Sequence, residues 1–414
     1  MRTEPDIAII GAGAAGIGAA RRLEGRGLSV LVLEALPRSG GRAWTREAAG
    51  VPIDLGCGWL HSADRNPWTR IAEDSGFTVD RRESAWGRQE RDLGISADDW
   101  AAARRAFNDW SARIATSSPA SDIAADALEP GERWNPYLQA LSGYISGDEL
   151  ERISAQDYAA YDAASTYCNW RVPAGYGTLI TASLPASIDT RLNTPVEAVA
   201  LDGRRVALRT ASGSVQARAV IVTVSTHVLA GDAIAWPSAL DPWREAACRM
   251  PLGHDEKLFL EIIGVSPFTP ESHVLGDPED ATTGSYYIRP FGRSVIECFF
   301  GGAGARAITA DGQDIAFARA IDQLVKLYGS RVRDCLRPLA ASDWAGNPRI
   351  GGAYSHALPT HAGARAILAR PFDDRLFFAG EATHGSDFST AHGAYQSGVR
   401  AAEEALAALT GAGR

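Results

Sequence analysis

Lysine is almost missing from this chain. Of the 41 lysines and arginines in 414 residues, lysine stands only at 257 and 326, which leaves 41 − 2 = 39 arginines. A compact, titratable ammonium stands at Lys257, inside the apolar, strand-like run "LGHDEKLFLE" (252–261), where the chain elsewhere uses guanidinium. Cysteine is sparse as well. Cys57, Cys168, Cys248, Cys298 and Cys335 are odd in number and form no CxxC pair, which argues against a disulfide framework and against a metal site, and fits a reducing cytoplasm. No stretch approaches about 18 uninterrupted apolar residues, so no membrane partner is expected. The apolar start "IAIIGAGAAGIGAA" follows Glu4 and Asp6 without a cationic leader and reads as structure, not as a signal peptide. Positive charge is outnumbered too: a net charge of −9 disfavours nucleic acid and is compatible with a cationic ligand, although scattered surface carboxylates explain it equally well.

What is present points to an α/β protein with two cores. An apolar content of 45% over this length is enough for two domains. The opening "DIAIIGAGAAGIGAARRLEGRGLSVLVLEA" reads as strand, glycine turn, helix, glycine stop and strand, a βαβ unit. Gly11, Gly13 and Gly16 form GxGxxG between strand and helix, and Glu34 ends the next strand. Such glycines allow a tight turn, close approach of a pyrophosphate to the backbone and close helix packing, while the acid accepts from a ribose hydroxyl. From about 80 to 170 the pattern turns helical and tryptophan-rich, and short strands resume in "RRVALRTASGSVQARAVIVTV".

Three further stretches carry a resemblance. "LPRSGGRAWT" sets Arg38, Gly40, Gly41 and Arg42 directly after the acid-bearing strand; "DRLFFAGEATHGSDFSTAHGAYQSG" gives an apolar strand, Gly380-Glu381 at a turn and a helix starting near Thr390-Ala391; between them lie "DLGCGWLHS", "VPAGYGTLI" followed by Pro195-Val196, and "WAGNPRIGGAYS". In this order they resemble the flavin-containing amine oxidases. The resemblance implies a Rossmann-like FAD-binding domain built from 1–78, 174–240 and 345–414, and a mixed α+β substrate domain from 79–173 and 241–344. It implies FAD held by Gly11, Gly13, Ala15, Gly16, Glu34, Ala35, Gly41, Arg42, Gly58, Trp59, Val196, Gly380, Glu381, Thr390 and Ala391. Lys257 would hold a water at flavin N5, with Phe259 and Glu261 on its strand face. Ala353 stands where monoamine oxidases carry the flavinylated cysteine, so FAD is expected to be non-covalent. Tyr354 supplies one of two aromatic walls and Thr390 stands at the other. His61 matches a polyamine-oxidase position, where a pKa near neutrality would favour a neutral amine. Trp344 and Trp170 are candidate pocket walls, Asp387 is read as a surface residue, and "TVST" (223–226) replaces a usual Thr-Val-Pro turn.

The function implied is amine oxidation with a small-molecule amine as substrate, O2 as acceptor and hydrogen peroxide as product, a polyamine-like or secondary amine being favoured. An L-amino acid oxidase or a desaturase on the same fold remains open, as does, more remotely, a flavin-free binding protein of the escort or dissociation-inhibitor type. Oligomeric state is not legible.

Overall fold

The computed structural model describes residues 4–91 and 93–411. Its first half-molecule is a five-stranded parallel sheet in the order Leu376–Phe378, Ala219–Val222, Ile7–Ile10, Val30–Leu33, Asp189–Arg191. The four strands other than Asp189–Arg191 are buried along their whole length, as unbroken apolar runs require when both faces of a parallel sheet are covered. Ile7, Ile9, Val32, Ile221 and Phe377 face one core with helices Ala14–Leu23 and Ala391–Gly411. Ala8, Ile10, Leu33, Val222 and Phe378 face a second core with the three-stranded meander Val196–Asp202, Arg205–Thr210, Gly213–Ala217. The two helices touch through glycine: a Cβ on Gly398 would lie 1.9 Å from the Ala15 carbonyl oxygen.

The second sheet is antiparallel, in the order Ser272–Leu275, Ser285–Ile288, Val295–Gly301, Asp255–Ile262, Leu336–Ala341. Here the period of two separates the faces. Leu258, Leu260, Val274, Tyr286, Ile296, Cys298 and Phe300 pack against helices Gly302–Asp311 and Gln313–Tyr328. The alternate residues Asp255, Lys257, Glu297, Phe299, Tyr287 and His273 point to the other side, with Lys257 paired to Phe299, Glu297 to Tyr287 and Tyr287 to His273.

Three helices, Ala97–Thr116, Asn135–Ser146 and Ala155–Ala164, close that side over a core of Trp100, Trp110, Trp134 and Tyr158. Ser96 and Asp99 start the first of them with a reciprocal capping box. Among the described residues no helix is long and apolar enough to cross a membrane.

Candidate active site

One cavity of about 590 Å³ runs from Gly11 and Glu34 at the ends of the parallel strands to Lys257 and Trp100 between the antiparallel sheet and the helices. Its first part is made of backbone. Gly11 has φ +102°, a conformation open to glycine, and a Cβ on Gly16 would lie 2.0 Å from the Gly11 carbonyl oxygen, so both positions exclude a side chain. The helix that starts at Ala14 has no side-chain cap and no acid in its first turn, which leaves its N–H groups and positive dipole end for an anion. The Glu34 carboxylate accepts from the backbone N–H of Ala12 (2.6 Å) and Leu36 (2.8 Å), so it shapes the turn and keeps further acceptor capacity for a hydroxyl. Burial pushes its carboxyl up, against those hydrogen bonds and Arg38. The second loop is zipped to the first, with the Gly40 N–H donating to the Ala12 carbonyl (2.8 Å).

Ala15, Ala35, Gly13, Gly41, Gly58, Trp59, Val196, Gly380, Thr390 and Ala391 all line this cavity. Arg42 donates to the Ala353 carbonyl and to Glu381 (3.0 Å). Glu381 is buried and also accepts from Ser355 N–H (3.1 Å), Ser355 hydroxyl (2.7 Å) and Ser389 N–H (3.0 Å). A carboxylate has about four acceptor sites; those of Glu381 are filled by protein, and Arg42 and Arg365 hold its carboxyl below the usual range despite burial. Glu381 therefore locks Arg42 and the Ala353–Ser355 loop in this structure, and a direct bond to a ribityl chain requires one of these partners to yield. Thr390 accepts from the Gly393 N–H (3.0 Å) and caps the last helix. At 223–226, Ser225 caps helix Thr226–Ala230 and donates to the Ile350 carbonyl (2.8 Å), which gives that turn a physical substitute for proline.

The second part is made of side chains. Lys257 Nζ contacts Glu297 Oε1 at 2.7 Å and donates to the Asp54 carbonyl at 3.1 Å, and a Cβ on Gly58 would stand 3.3 Å from it. Phe259 on the same face packs with Ile53, Leu55 and Trp344, while Glu261 lies beyond the cavity lining. Trp344 is both wall and core: its indole N–H donates to the Leu55 carbonyl (3.1 Å) and its backbone N–H to Glu256 (2.7 Å). Tyr354 donates its hydroxyl to the Tyr144 carbonyl (2.6 Å), which fixes the ring as a wall. Trp59 stacks near Trp86 (4.2 Å between centroids) and Tyr287 (5.4 Å). Arg171 supports these rings from below, 4.9 Å from both Trp59 and Tyr287, paired with Asp80 (3.1 Å) and Glu271 (2.6 Å).

Three expectations change. His61 lines the cavity, but burial depresses its pKa to about 4, against a raising hydrogen bond from Asn169, so it does not titrate near neutrality. Asn169 donates its amide N–H to the Tyr167 carbonyl (3.0 Å), which turns its oxygen to His61 Nδ1 (2.7 Å); Nδ1 therefore carries the proton and Nε2 is left as an acceptor. Asp387 is not at the surface: it is buried between Arg65 (2.8 Å) and His392 (3.3 Å), with its carboxyl held well below the usual range by these partners despite desolvation. Trp170 lies outside the cavity lining, under Arg81. Sequence reasoning also missed Asp255, Glu297, Tyr287, Phe299 and Trp86, all of which line the cavity. For Glu297 a signal was there, a lone charge inside "VIECFF", the same kind of signal that singled out Lys257.

A glycine turn with an uncapped helix, joined by one cavity to a lysine-bearing sheet face, defines a dinucleotide-dependent oxidoreductase. The family model for flavin containing amine oxidoreductases matches residues 14–406, and the chain belongs to that family. It is 27% identical to polyamine oxidase 4 of Oryza sativa subsp. japonica (97% of this chain, 88% of the relative) and 26% identical to polyamine oxidase 2 of Arabidopsis thaliana (98% and 89%). It is also 26% identical to lysine-specific histone demethylase 1B of Mus musculus, of which it spans 53%. Its fold matches that of putrescine oxidase bound to putrescine with a TM-score of 0.76 at 20% identity, covering 98% of this chain and 100% of the other. The protein is an FAD-dependent amine oxidoreductase.

Proposed function

We propose that this enzyme oxidises a C–N bond of an aliphatic, polyamine-like or secondary amine. The observation that carries the reading is the cavity wall: the rings of Trp59, Trp86, Tyr144, Tyr287, Phe299 and Tyr354 around the ion pair of Lys257 and Glu297. Aromatic faces suit a cation. A carboxylate-bearing amino acid would need a free guanidinium there. Of the arginines lining the cavity, Arg42 is bound to Glu381, while Arg104 and Arg349 are exposed, so the amino-acid arm of the test below decides between the two substrates.

FAD fits the uncapped helix, the side-chain-free Gly11–Gly16 turn and Arg42; bound there it would supply a two-electron acceptor for a hydride from the carbon beside a neutral amine and a route for those electrons to O2, with imine and hydrogen peroxide as the products. Glu34, Arg42, Val196 and Ala391 would hold it, without a covalent link, because Ala353 has no thiol. Lys257, charge-compensated by Glu297, would position a water. The neutral His61 presents Nε2 as an acceptor that adds no positive charge beside the amine. Tyr354 forms one wall, and the small Thr390 leaves room for a substituted nitrogen. On this reading 1–78, 174–240 and 345–414 form the FAD domain and 79–173 with 241–344 the substrate domain, and five free thiols suit a reducing cytoplasm.

The test is the rate of anaerobic flavin bleaching by spermine, spermidine and putrescine against phenethylamine and L-amino acids. Faster bleaching by phenethylamine or an amino acid than by every polyamine overturns the substrate reading. Acid precipitation should release all flavin to the supernatant as FAD, and flavin left in the pellet contradicts non-covalent binding.

A further inference from the structure

The outer half of the cavity follows one helix. Tyr137, Leu141, Tyr144 and Ile145 of Asn135–Ser146 all line it, at the spacing that puts residues on one helical face. Tyr144 marks the inner level: its ring is 5.8 Å from that of Phe299, the strand partner of Lys257. Tyr137, two turns back toward the helix start, stands about 10 Å further out at the helical rise. There its ring meets that of Trp100 at 6.2 Å, and Arg104, one turn beyond Trp100 on helix Ala97–Thr116, reaches the same stretch of wall.

Charge is distributed unevenly between those levels. The carboxylates of the lining are Glu34 and Glu381 at the nucleotide end and Asp255 and Glu297 beside the lysine. Glu297 is taken by Lys257 at 2.7 Å. Asp255 is closed off by Gly147 and the Tyr354 hydroxyl, and burial pushes its carboxyl well above the usual range, so it offers no negative charge. The outer end holds a guanidinium and no acid. Arg104 is exposed, lines the cavity, and makes no hydrogen bond or ion pair among the described residues. Asp99 on the same helix is bound to Arg133 (2.8 Å) and belongs to the capping box.

We propose that Arg104 is a specificity residue that works by repulsion: its guanidinium disfavours any amine whose second ammonium lies at the outer level, so the enzyme takes monoamines and short diamines ahead of long polyamines. The inference rests on the amine reading above and narrows its substrate class. A four-carbon diamine with one nitrogen beside Lys257 leaves the other among the rings of Tyr144 and Phe299, which suit a cation. An eight-carbon diamine carries its far nitrogen out to Arg104. Specificity often comes from an unfavourable contact with the wrong ligand, and the same guanidinium favours a carboxylate placed there. Because Arg104 meets water, the effect is screened and moderate.

The experiment uses the FAD-loaded enzyme and its Arg104→Gln and Arg104→Lys variants. Two quantities are read: kcat/KM, and calorimetric affinity for the dithionite-reduced enzyme, which cannot turn the amine over. The probes are three chains of one length that differ at the far end, 1-aminooctane, 1,8-diaminooctane and 8-aminooctanoate, with 1-aminobutane and 1,4-diaminobutane as the short pair. Relative to 1-aminooctane, Arg104→Gln should raise 1,8-diaminooctane about 4-fold at low ionic strength, the effect of two like unit charges about 5 Å apart in water, and lower 8-aminooctanoate by a similar factor. Both shifts should shrink at high salt, Arg104→Lys should show neither, and the ratio within the short pair should not follow them. Unchanged octane ratios in Arg104→Gln, ammonium-ended and carboxylate-ended chains that move in the same direction, or a short-pair ratio that shifts as much as the long one, each overturn the inference. Charge-dependent shifts in affinity with no amine oxidised sink the amine reading and leave the role of Arg104 standing. Oxidation of these amines at ratios independent of residue 104 does the reverse.

Discussion

The two ends of the cavity are built in opposite ways. At the parallel sheet the lining is backbone: glycines that admit no side chain, N–H groups at an uncapped helix, and one acid, Glu34, bonded to the turn it stabilises. At the antiparallel sheet the lining is side chains, one from every second residue of four strands, with a charged pair at the centre. A site of backbone must be written as a contiguous motif, because the turn itself is the binding element. A site of alternating side chains is scattered over positions 255–299 and forms no contiguous string.

That contrast predicts where single changes hurt most. Gly16→Val should be the most damaging. Its Cβ would lie 2.0 Å from the Gly11 carbonyl and 3.0 Å from the Gly11 carbonyl carbon, and backbone cannot step aside as a side chain does. The loss should be about 3 kcal/mol or more, with little FAD retained. Thermal melting and flavin-to-protein absorbance ratios measure both. Retention of wild-type FAD in Gly16→Val would remove the distinction between the two ends.

Lys257→Met comes next and probes the side-chain end. It leaves Glu297 largely buried without its cation, a loss of about 2 kcal/mol given that this group keeps some contact with water. FAD should stay bound while a flavin half-reaction, reoxidation by O2 in particular, slows. The double variant Lys257→Met/Glu297→Gln should regain most of the stability and none of the rate, because the charge imbalance is relieved but the ammonium is still missing. Stopped-flow reduction and reoxidation with melting curves of all three proteins separate the effects. Wild-type rates in Lys257→Met would reduce the lysine to a strand residue.

The same contrast explains what the sequence discloses. Gly11, Gly13, Gly16, Glu34, Arg42 and the Gly380–Ala391 stretch sit in short strings with fixed spacing, and from these the family and the fold can be read. Lys257 stood out through scarcity alone. Glu297 and Asp255 are visible only once the register is known, since period-two strands place alternate residues on one face but do not say which face is the cavity. His61 fails for another reason. Its sequence position suggests a titrating imidazole, but its environment is set by Asn169, 108 residues away, and by burial that no local pattern encodes. Asp387 misleads in the same way: in a polar loop it looks solvated, yet Arg65, 322 residues earlier, encloses it.

A smaller effect is expected at the junction of the two ends. Thr390 contributes no charge, and its hydroxyl caps the Ala391–Gly411 helix through the Gly393 N–H while donating to the Asp387 carbonyl (2.6 Å). Thr390→Ala should cost about 1 kcal/mol and move Tm by about 2 °C. A loss as large as that of Gly16→Val would mean that the capped helix end matters as much as the glycine turn.

The smallest change should come from His61→Gln, and it tests whether burial governs the side-chain end. A histidine with a folded pKa of about 4, against an ordinary value of 6.5, is neutral in the native state across the whole neutral range. Because its folded pKa is depressed, its contribution to stability is complete above pH 6.5 and is lost as pH falls from there toward 4, where the unfolded chain binds the proton more readily. The acid limb of kcat/KM between pH 6 and 9 then belongs to deprotonation of the substrate amine and not to this imidazole. Glutamine keeps an acceptor near Nε2 without a titrating group, so His61→Gln should lower kcat/KM only a few-fold and leave the midpoint of the acid limb in place. It should also flatten part of the fall in Tm between pH 6.5 and 4. A midpoint that moves by more than about half a pH unit would show that His61 titrates near neutrality, and then its Asn169 hydrogen bond, not its burial, sets its charge state.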